Sequence, residues 1–230
     1  MQIVADQTHH TIALRELGLE SQANPIVRIT ELKYKKGTEI FGEKEPADYV
    51  YRVIQGAIRT YKLLSDGRRQ IGAFHLAGDV FGLANGSAHR FTAEAVVDTT
   101  LQIIKRSSLD VIAESDPVVS ANLLRLTARD LQHVEDHMLL LGRKNSLERV
   151  VAFLTEMDKR FSADDVMALP MSRLDIADYL GLTIETVSRA LSRLRREGIL
   201  DFISSNQREV VLRDRRRLAD FEITSERLSK

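Results

Sequence analysis

The stretch "GLTIETVSRALSRL", residues 181–194, places Glu185, Ser188 and Arg189 on one side of a sequence with helical spacing. Ser192, Arg193 and, one turn on, Arg196 continue the same face. A carboxylate only accepts hydrogen bonds, a guanidinium only donates them, and a serine hydroxyl does both. That combination suits the edges of base pairs in a major groove. There Glu185 can accept from cytosine N4, Arg189 can donate twice to guanine O6 and N7, and Ser188 can serve either role. A solvated helix face carries similar residues, so the surrounding elements have to decide between the two readings.

On the opposite side of the same stretch, Val187, Ala190, Leu191 and Leu194 form an apolar stripe. The preceding "MSRLDIADYLGL" predicts a second helix. Ser172 caps it, with Asp175 at capping-box spacing, and Ile176, Ala177 and Leu180 face inward. Gly181 takes the turn, small Ala177 permits close approach, and Thr183 caps the next helix. This layout is that of a helix-turn-helix.

Downstream, "GILDFISSNQREVVLRD" reads as two short strands around a polar turn, a wing beside the second helix. Between 184 and 217 there are nine Arg and no Lys against five acids, although the whole chain balances 33 Lys+Arg against 33 Asp+Glu. The global balance therefore conceals a local basic surface of the kind phosphates attract. Arg195, Arg208 and Arg213 are candidates for the backbone rather than the bases, with Ser172, Thr183, Ser192 and Arg193 as flanking contacts. The 213–217 cluster reads equally as a solvated terminal helix.

The rest of the 230-residue chain must carry and present this unit. Residues 1–24 are lightly patterned, with "TIALRELGL" as a candidate short helix. Residues 25–116 hold short β-rich runs with glycines at the corners, which predicts an antiparallel roll; "SDGRRQ" is a hairpin turn. From 117 to 142 the period becomes helical. Leu124, Leu131, Val134, Met138 and Leu141 form a heptad-like seam, either between two copies of the chain or against its own roll. Gly142 is a hinge or stop, and "KNSLERVVAFLTEMDKRF" opens the last domain, 143–230. The fold class expected is α+β: a β-roll, a long dimerisation helix, and a winged helix-turn-helix.

The sequence has no cysteine, which removes disulfides, thiolate-held zinc and iron–sulfur clusters from consideration. No basic-then-apolar leader and no apolar run of membrane length is seen, so a soluble, cytoplasmic protein without membrane partners is expected. His133 and His137 are spaced for a shared helix face, but two histidines on the outer side of such a helix read as solvated. His75 reads as a roll residue and His89 as a loop residue, and neither has the partners of a nucleophilic site. No catalytic residue, metal ligand or cofactor is expected.

With these residues in view, the chain resembles the CRP/FNR family of transcription regulators over nearly its whole length. "FHLAGDVFG" and "DYLGLTIETVSRALSRL" resemble its FNR/FixK branch. The Glu, Ser, Arg triplet of that branch falls on Glu185, Ser188 and Arg189, while Ile184 stands where the CRP branch has an arginine. The resemblance implies a homodimer on a TTGAT-type palindrome, contact with RNA polymerase, and an activator role. It also exposes departures. The cysteines of an oxygen-sensing cluster are missing, and in "FGLANGSAHRFTAEAV" Leu83 replaces the glutamate of the cyclic-AMP pattern, with Phe91 after Arg90. The resemblance therefore implies a regulator that works without cyclic AMP or an iron–sulfur cluster. Two alternatives stand beside it: a sensor gated by another ligand in the roll, and an interaction module with no DNA role.

Overall fold

The computed structural model describes residues 7–23, 25–83, 86–161, 166–203 and 207–227. The chain divides into two compact units, Met1–Val134 and Glu135–Lys230, so the division falls inside the long helix.

The first unit is an antiparallel roll of two sheets. Its strands are β1 (Gln7–Ala13), β2 (Ile26–Tyr34), β3 (Glu39–Phe41), β4 (Tyr49–Gln55), β5 (Ala57–Leu63), β6 (Arg69–Leu76), β7 (Val80–Phe81), β8 (Thr92–Ala95) and β9 (Thr99–Lys105). One sheet runs β1-β2-β9-β4-β7 and the other β3-β8-β5-β6. The predicted hairpin joins β5 to β6, with Gly67 at φ 83° and Leu63 opposite Arg69. Between β4 and β5, Gly56 has φ 95°, and a side chain there would bring Cβ to 2.7 Å from the Asp98 carbonyl. Only glycine fits both demands.

Rings fill the roll's interior. His75 stacks on Phe81 at 4.7 Å, Phe81 on Tyr51 at 5.1 Å, and His89 on Phe41 at 3.5 Å. Val53, Ile58, Ala93, Ala95 and Leu101 are fully buried beside them. His89 thus sits in a loop but belongs to the core, and its burial holds its pKa below the ordinary histidine range.

The amino-terminal segment differs from expectation. Most of "TIALRELGL" is not helix: Thr11–Ala13 end strand β1, and only Leu14–Leu17 form a 3-10 turn. Ile12, in the edge strand paired with β2, and Leu14, which opens the 3-10 turn, are both buried. With Leu19 they join a core containing Ile29, Val50 and Ile104. A ten-residue helix, α1 (Arg106–Ser115), was also not expected. Leu109 is its one buried residue, so it leaves little periodic signal.

The long helix, α2 (Pro117–Arg143), begins at a residue suited to its first turn. Asp116 caps it: Oδ1 accepts from the Val118 amide at 3.0 Å, and Oδ2 accepts from the Ser21 hydroxyl at 2.6 Å and the Gln22 amide at 2.9 Å. One buried carboxylate therefore starts the helix and ties the amino-terminal segment to it. Further along, Leu124, Leu131, Val134 and Met138 are 59% to 71% exposed, and Leu141 is half-buried. Leu124, Leu131 and Val134 are thus left uncovered by the roll of their own unit. Gly142 lies inside the helix and does not stop it.

The second unit contains α3 (Ser146–Arg160), β10 (Val166–Ala168), α4 (Arg173–Leu180), α5 (Ile184–Arg196), β11 (Leu200–Phe202), β12 (Glu209–Leu212) and α6 (Arg215–Arg227). Asn145 and Glu148 form a capping box at the start of α3. The wing is a three-stranded sheet, β10-β12-β11. Its third strand comes from "VMA", part of a stretch expected only to connect; residues 162–165 of that stretch lie outside the described residues. Val150, Val151 and Leu154 of α3 are buried and Leu147 half-buried, as the apolar stripe predicted.

The Ser21 hydroxyl, followed by backbone amides, holds the Asp116 carboxyl below its ordinary pKa. A depressed folded-state pKa stabilises fully above the unfolded value, near about 4, and the benefit is lost as pH falls through the folded value. Asp116→Asn should therefore lower the melting temperature at neutral pH and flatten its acid dependence. Thermal melts of both proteins across that acid range check this.

Candidate nucleic-acid interface

The turn between α4 and α5 is built from local rules. At the start of α4, Ser172 Oγ accepts from the Asp175 amide at 3.1 Å, and Asp175 Oδ2 accepts from the Ser172 amide at 3.0 Å. Gly181 then adopts φ 61°, ψ 40°, the left-handed conformation that ends α4. Its amide donates back to the Ala177 carbonyl, and Thr183 Oγ1 accepts from the Thr186 amide at 3.3 Å to start α5. Ile176, Ala177 and Leu180 are buried, as are Val187, Ala190, Leu191 and Leu194.

A third helix end is drawn into this turn. The Arg149 guanidinium donates to the carbonyls of Leu141 at 2.8 Å, Lys144 at 2.9 Å and Leu180 at 3.0 Å. A side chain at 181 would place Cβ 3.5 Å from Leu141 and 3.6 Å from Arg149 Nη1. Arg149 therefore satisfies carbonyls at the ends of α2 and α4 together, which helices otherwise leave without partners. The sequence reading did not single it out.

With its apolar stripe inward, α5 turns Glu185, Arg189, Ser192, Arg193, Arg195 and Arg196 to the surface, and Ser188 is half-buried. Thr186, Ser188, Arg189, Ser192, Arg193 and Arg196 share a shallow concave surface with Ser146 and Leu147. The Glu185 carboxyl is held below its ordinary pKa, first by its own amide, then by the Thr183 hydroxyl and the Arg189 charge. It is therefore an ionised acceptor at neutral pH. Arg189 Nη2 makes one long bond, 3.3 Å, to Thr186 Oγ1.

The remaining sequence-predicted residues divide by what they touch. Ser172 is occupied by its cap, donating to Asp175 Oδ2 at 2.7 Å, and Thr183 serves its own cap. Arg193 bonds Glu197 at 2.8 Å, Arg195 bonds Asp201 at 3.0 Å, and Arg213 approaches Asp201 at 3.9 Å. Arg208 is half-buried on the wing. Exposed pairs of this kind contribute about 0–1 kcal/mol each, so a phosphate can replace the carboxylate at little cost. In the 213–217 cluster, Arg215 is bound by Asp158 through bonds of 2.9 and 3.0 Å, and Arg217 Nη1 donates to the Glu197 carbonyl at 2.9 Å. These two arginines hold α6 in place.

Two findings depart from the sequence reading. His137 is half-buried and stacks on Tyr179 of α4 at 4.2 Å, where a solvated position was expected, and His133 is also half-buried. Among the described residues no group of three His, Cys, Asp or Glu could hold a metal. The second is Arg173, which the sequence reading passed over. It donates to Ser188 Oγ at 3.1 Å and to the Gln207 side chain, and lies over the Phe202 ring at 5.7 Å.

Comparison with known proteins gives this geometry a lineage. Residues 148–221 match the family model of the Crp-like helix-turn-helix domain, and residues 31–116 match the cyclic nucleotide-binding domain. The nitrogen fixation regulation protein FixK of Azorhizobium caulinodans is 46% identical over 81% of this chain and 76% of its own length. The chain belongs to the CRP/FNR family of transcription regulators. Within that family, the transcriptional activatory protein AadR of Rhodopseudomonas palustris is 39% identical over 77% of this chain and 76% of its own length. The solved structure of FixK2 from Bradyrhizobium japonicum is 59% identical, covers 84% of this chain and 97% of its own, and superposes with a TM-score of 0.82. The α+β fold expected from the sequence is the family's: an N-terminal β-domain, a long helix and a C-terminal helix-turn-helix. The chain is accordingly a FixK-type, DNA-binding transcription regulator.

Family departures in the roll now have structural counterparts. Leu83 packs against the core of Ile29, Val50 and Leu109; Arg90 is exposed; Phe91 lies against Gly72, where an added Cβ would be 3.3 Å from its ring. Residues 84 and 85 of this segment lie outside the described residues.

Arg149→Met removes three charge-assisted bonds and leaves helix-end carbonyls without their donor. It should destabilise the second unit by about 2–3 kcal/mol and weaken DNA binding with it. Denaturant unfolding of the purified variant, set beside its DNA affinity, measures both.

Proposed function

We propose that the chain regulates transcription as a homodimer on a TTGAT-type palindrome, usually as an activator. The observation that carries this reading is the outward face of α5. An ionised Glu185, a half-buried Ser188 and a loosely held Arg189 stand side by side on a helix whose inner face is fixed. In this reading those three residues read base edges in the major groove. Ser172, Thr183, Ser192, Arg193, Arg195, Arg208 and Arg213 meet the sugar–phosphate backbone or flank it.

Dimerisation would run along α2, through Leu124, Leu131, Val134, Met138 and Leu141. Large apolar side chains exposed in one stripe favour a partner, and a second copy of the same helix provides a matching one. Two copies of α5 would then enter successive major grooves, one turn of DNA apart. RNA polymerase is the further partner, contacted by surfaces of the bound dimer.

We also take the regulator to act without a bound effector. The ring stack lies in the roll's interior and Leu83 packs against the core, while Phe91, itself exposed, lies against Gly72. The match of residues 31–116 to the cyclic nucleotide-binding domain favours the second reading, a regulator gated by a ligand in the roll. DNA binding that becomes selective only after a nucleotide is added would establish that second reading.

Glu185→Ala should relax preference at one base pair of each half-site and lower discrimination there by about 1–3 kcal/mol; Arg189→Ala should do so at another. Affinity measurements on duplexes with each base pair changed in turn test this, and undiminished discrimination in both variants removes α5 as the reading element. Leu131→Glu and Met138→Glu should shift the protein from dimer to monomer in sedimentation and reduce palindrome binding together. A variant that stays dimeric excludes the α2 seam.

A further inference from the structure

We propose that Arg173 is a specificity-setting positioning residue, fixing the Ser188 hydroxyl as a hydrogen-bond donor toward the DNA. The inference rests on the reading of Ser188 as a base-contacting residue.

Arg173 stands at the first position of α4, next to the Ser172 cap, and is half-buried. Its guanidinium makes contacts in three directions. One nitrogen donates to Ser188 Oγ at 3.1 Å, the other to the Gln207 side-chain carbonyl, and the guanidinium lies over the Phe202 ring at 5.7 Å. Phe202 ends β11, and Gln207 occupies the wing turn with φ 56°, a left-handed conformation uncommon for glutamine. One side chain thus links α4, α5 and the wing. Loss of water around it, the cause of its lowered pKa, leaves a planar fork held by fixed partners rather than a mobile surface charge.

The consequence for Ser188 follows from its hydrogen-bonding inventory. A serine hydroxyl has one hydrogen to give and two lone pairs to accept with. Inside a helix its hydrogen is commonly spent on the carbonyl four residues back. Here the guanidinium takes one of the two lone pairs, and its positive charge turns the hydroxyl hydrogen away from Arg173 and makes the oxygen a poorer acceptor. The hydroxyl is thereby biased toward donating. In the major groove that bias favours guanine O6 or N7, adenine N7 or thymine O4 over the amino groups of cytosine and adenine. Glu185 has the opposite polarity as an ionised acceptor. Two neighbouring positions on α5 would then ask opposite questions of the DNA, and Arg173 sets one of them without touching a base.

The test uses the full chain with Arg173→Ala, Arg173→Lys, Ser188→Ala and the Arg173→Ala/Ser188→Ala double variant. Their affinities are measured at several salt concentrations on duplexes bearing a TTGAT-type palindrome and every single base-pair change in its half-site. Ser188→Ala is expected to lose about five-fold discrimination at one base pair. Arg173→Ala should lose a similar factor at that same pair, leave the pairs that depend on Glu185 and Arg189 unaltered, and add nothing in the double variant. Arg173→Lys keeps the charge and the stem but not the planar fork. A loss at the same pair in that variant assigns the effect to geometry, apart from folding or net charge.

Uniform weakening across all sequences, with a salt slope smaller by about one, would make Arg173 a phosphate contact and overturn the proposal. So would losses that add in the double variant, or an Arg173→Ala protein that discriminates normally while Ser188→Ala does not. If Ser188→Ala itself loses no discrimination, the base-reading role of Ser188 fails and the positioning role fails with it.

Discussion

A chain passes from α4 into α5 within three residues only if the residue after Leu180 takes a left-handed conformation, and position 181 holds the residue type that does so without strain. The same glycine leaves room for Leu141 and Arg149 against its backbone. Once that turn is made, α5 has little choice of orientation. Val187, Ala190, Leu191 and Leu194 must be buried, and the residues half a turn away must face out. The outward position of Glu185 and Arg189 is therefore a consequence of packing on the other side of the helix. Arg149 extends the constraint to the end of α2, because one guanidinium satisfies carbonyls at the ends of α2 and of α4, the helix that leads into the turn.

Charge in the second unit is divided by task. Arg149, Arg215 and Arg217 are committed to carbonyls or a carboxylate that hold helices in place. Arg193, Arg195 and Arg213 are paired on the surface, where exchange with phosphate costs little. Arg189 faces out with a single long contact. Counting arginines alone cannot make this division, because Arg149 and Arg215 are committed through partners 31 and 57 residues away. The balanced net charge of the chain describes none of these roles.

What was legible in the sequence was governed by short-range rules. Capping at Ser172 and Thr183, the Gly181 turn, the stripe from Val187 to Leu194 and the β5–β6 hairpin all follow from spacing and residue type, and the structure has each of them. What was missed depends on tertiary context. Strand β1 exists because β2 offers an edge, β10 because β12 does, and α1 buries too little to announce itself. His137 reads as solvated until Tyr179, 42 positions later in the sequence, supplies a ring to stack on. Arg173 and Arg149 look like ordinary surface arginines until the helices they bridge are brought together. The family resemblance added the expected DNA site and the departures at Leu83 and Phe91, and the structure shows Leu83 packed against the core and exposed Phe91 beside Gly72.

The central claim is that this fold presents a sequence-reading surface in the absence of any small molecule. The most direct measurement is the affinity of the purified, ligand-free protein for a TTGAT-type palindrome and for a scrambled duplex of equal length, across a range of salt. The account predicts that the palindrome is bound far more tightly, that both affinities fall as salt rises, and that the preference persists without additives. Equal binding to the two duplexes, or a preference that appears only after a nucleotide is supplied, would contradict it.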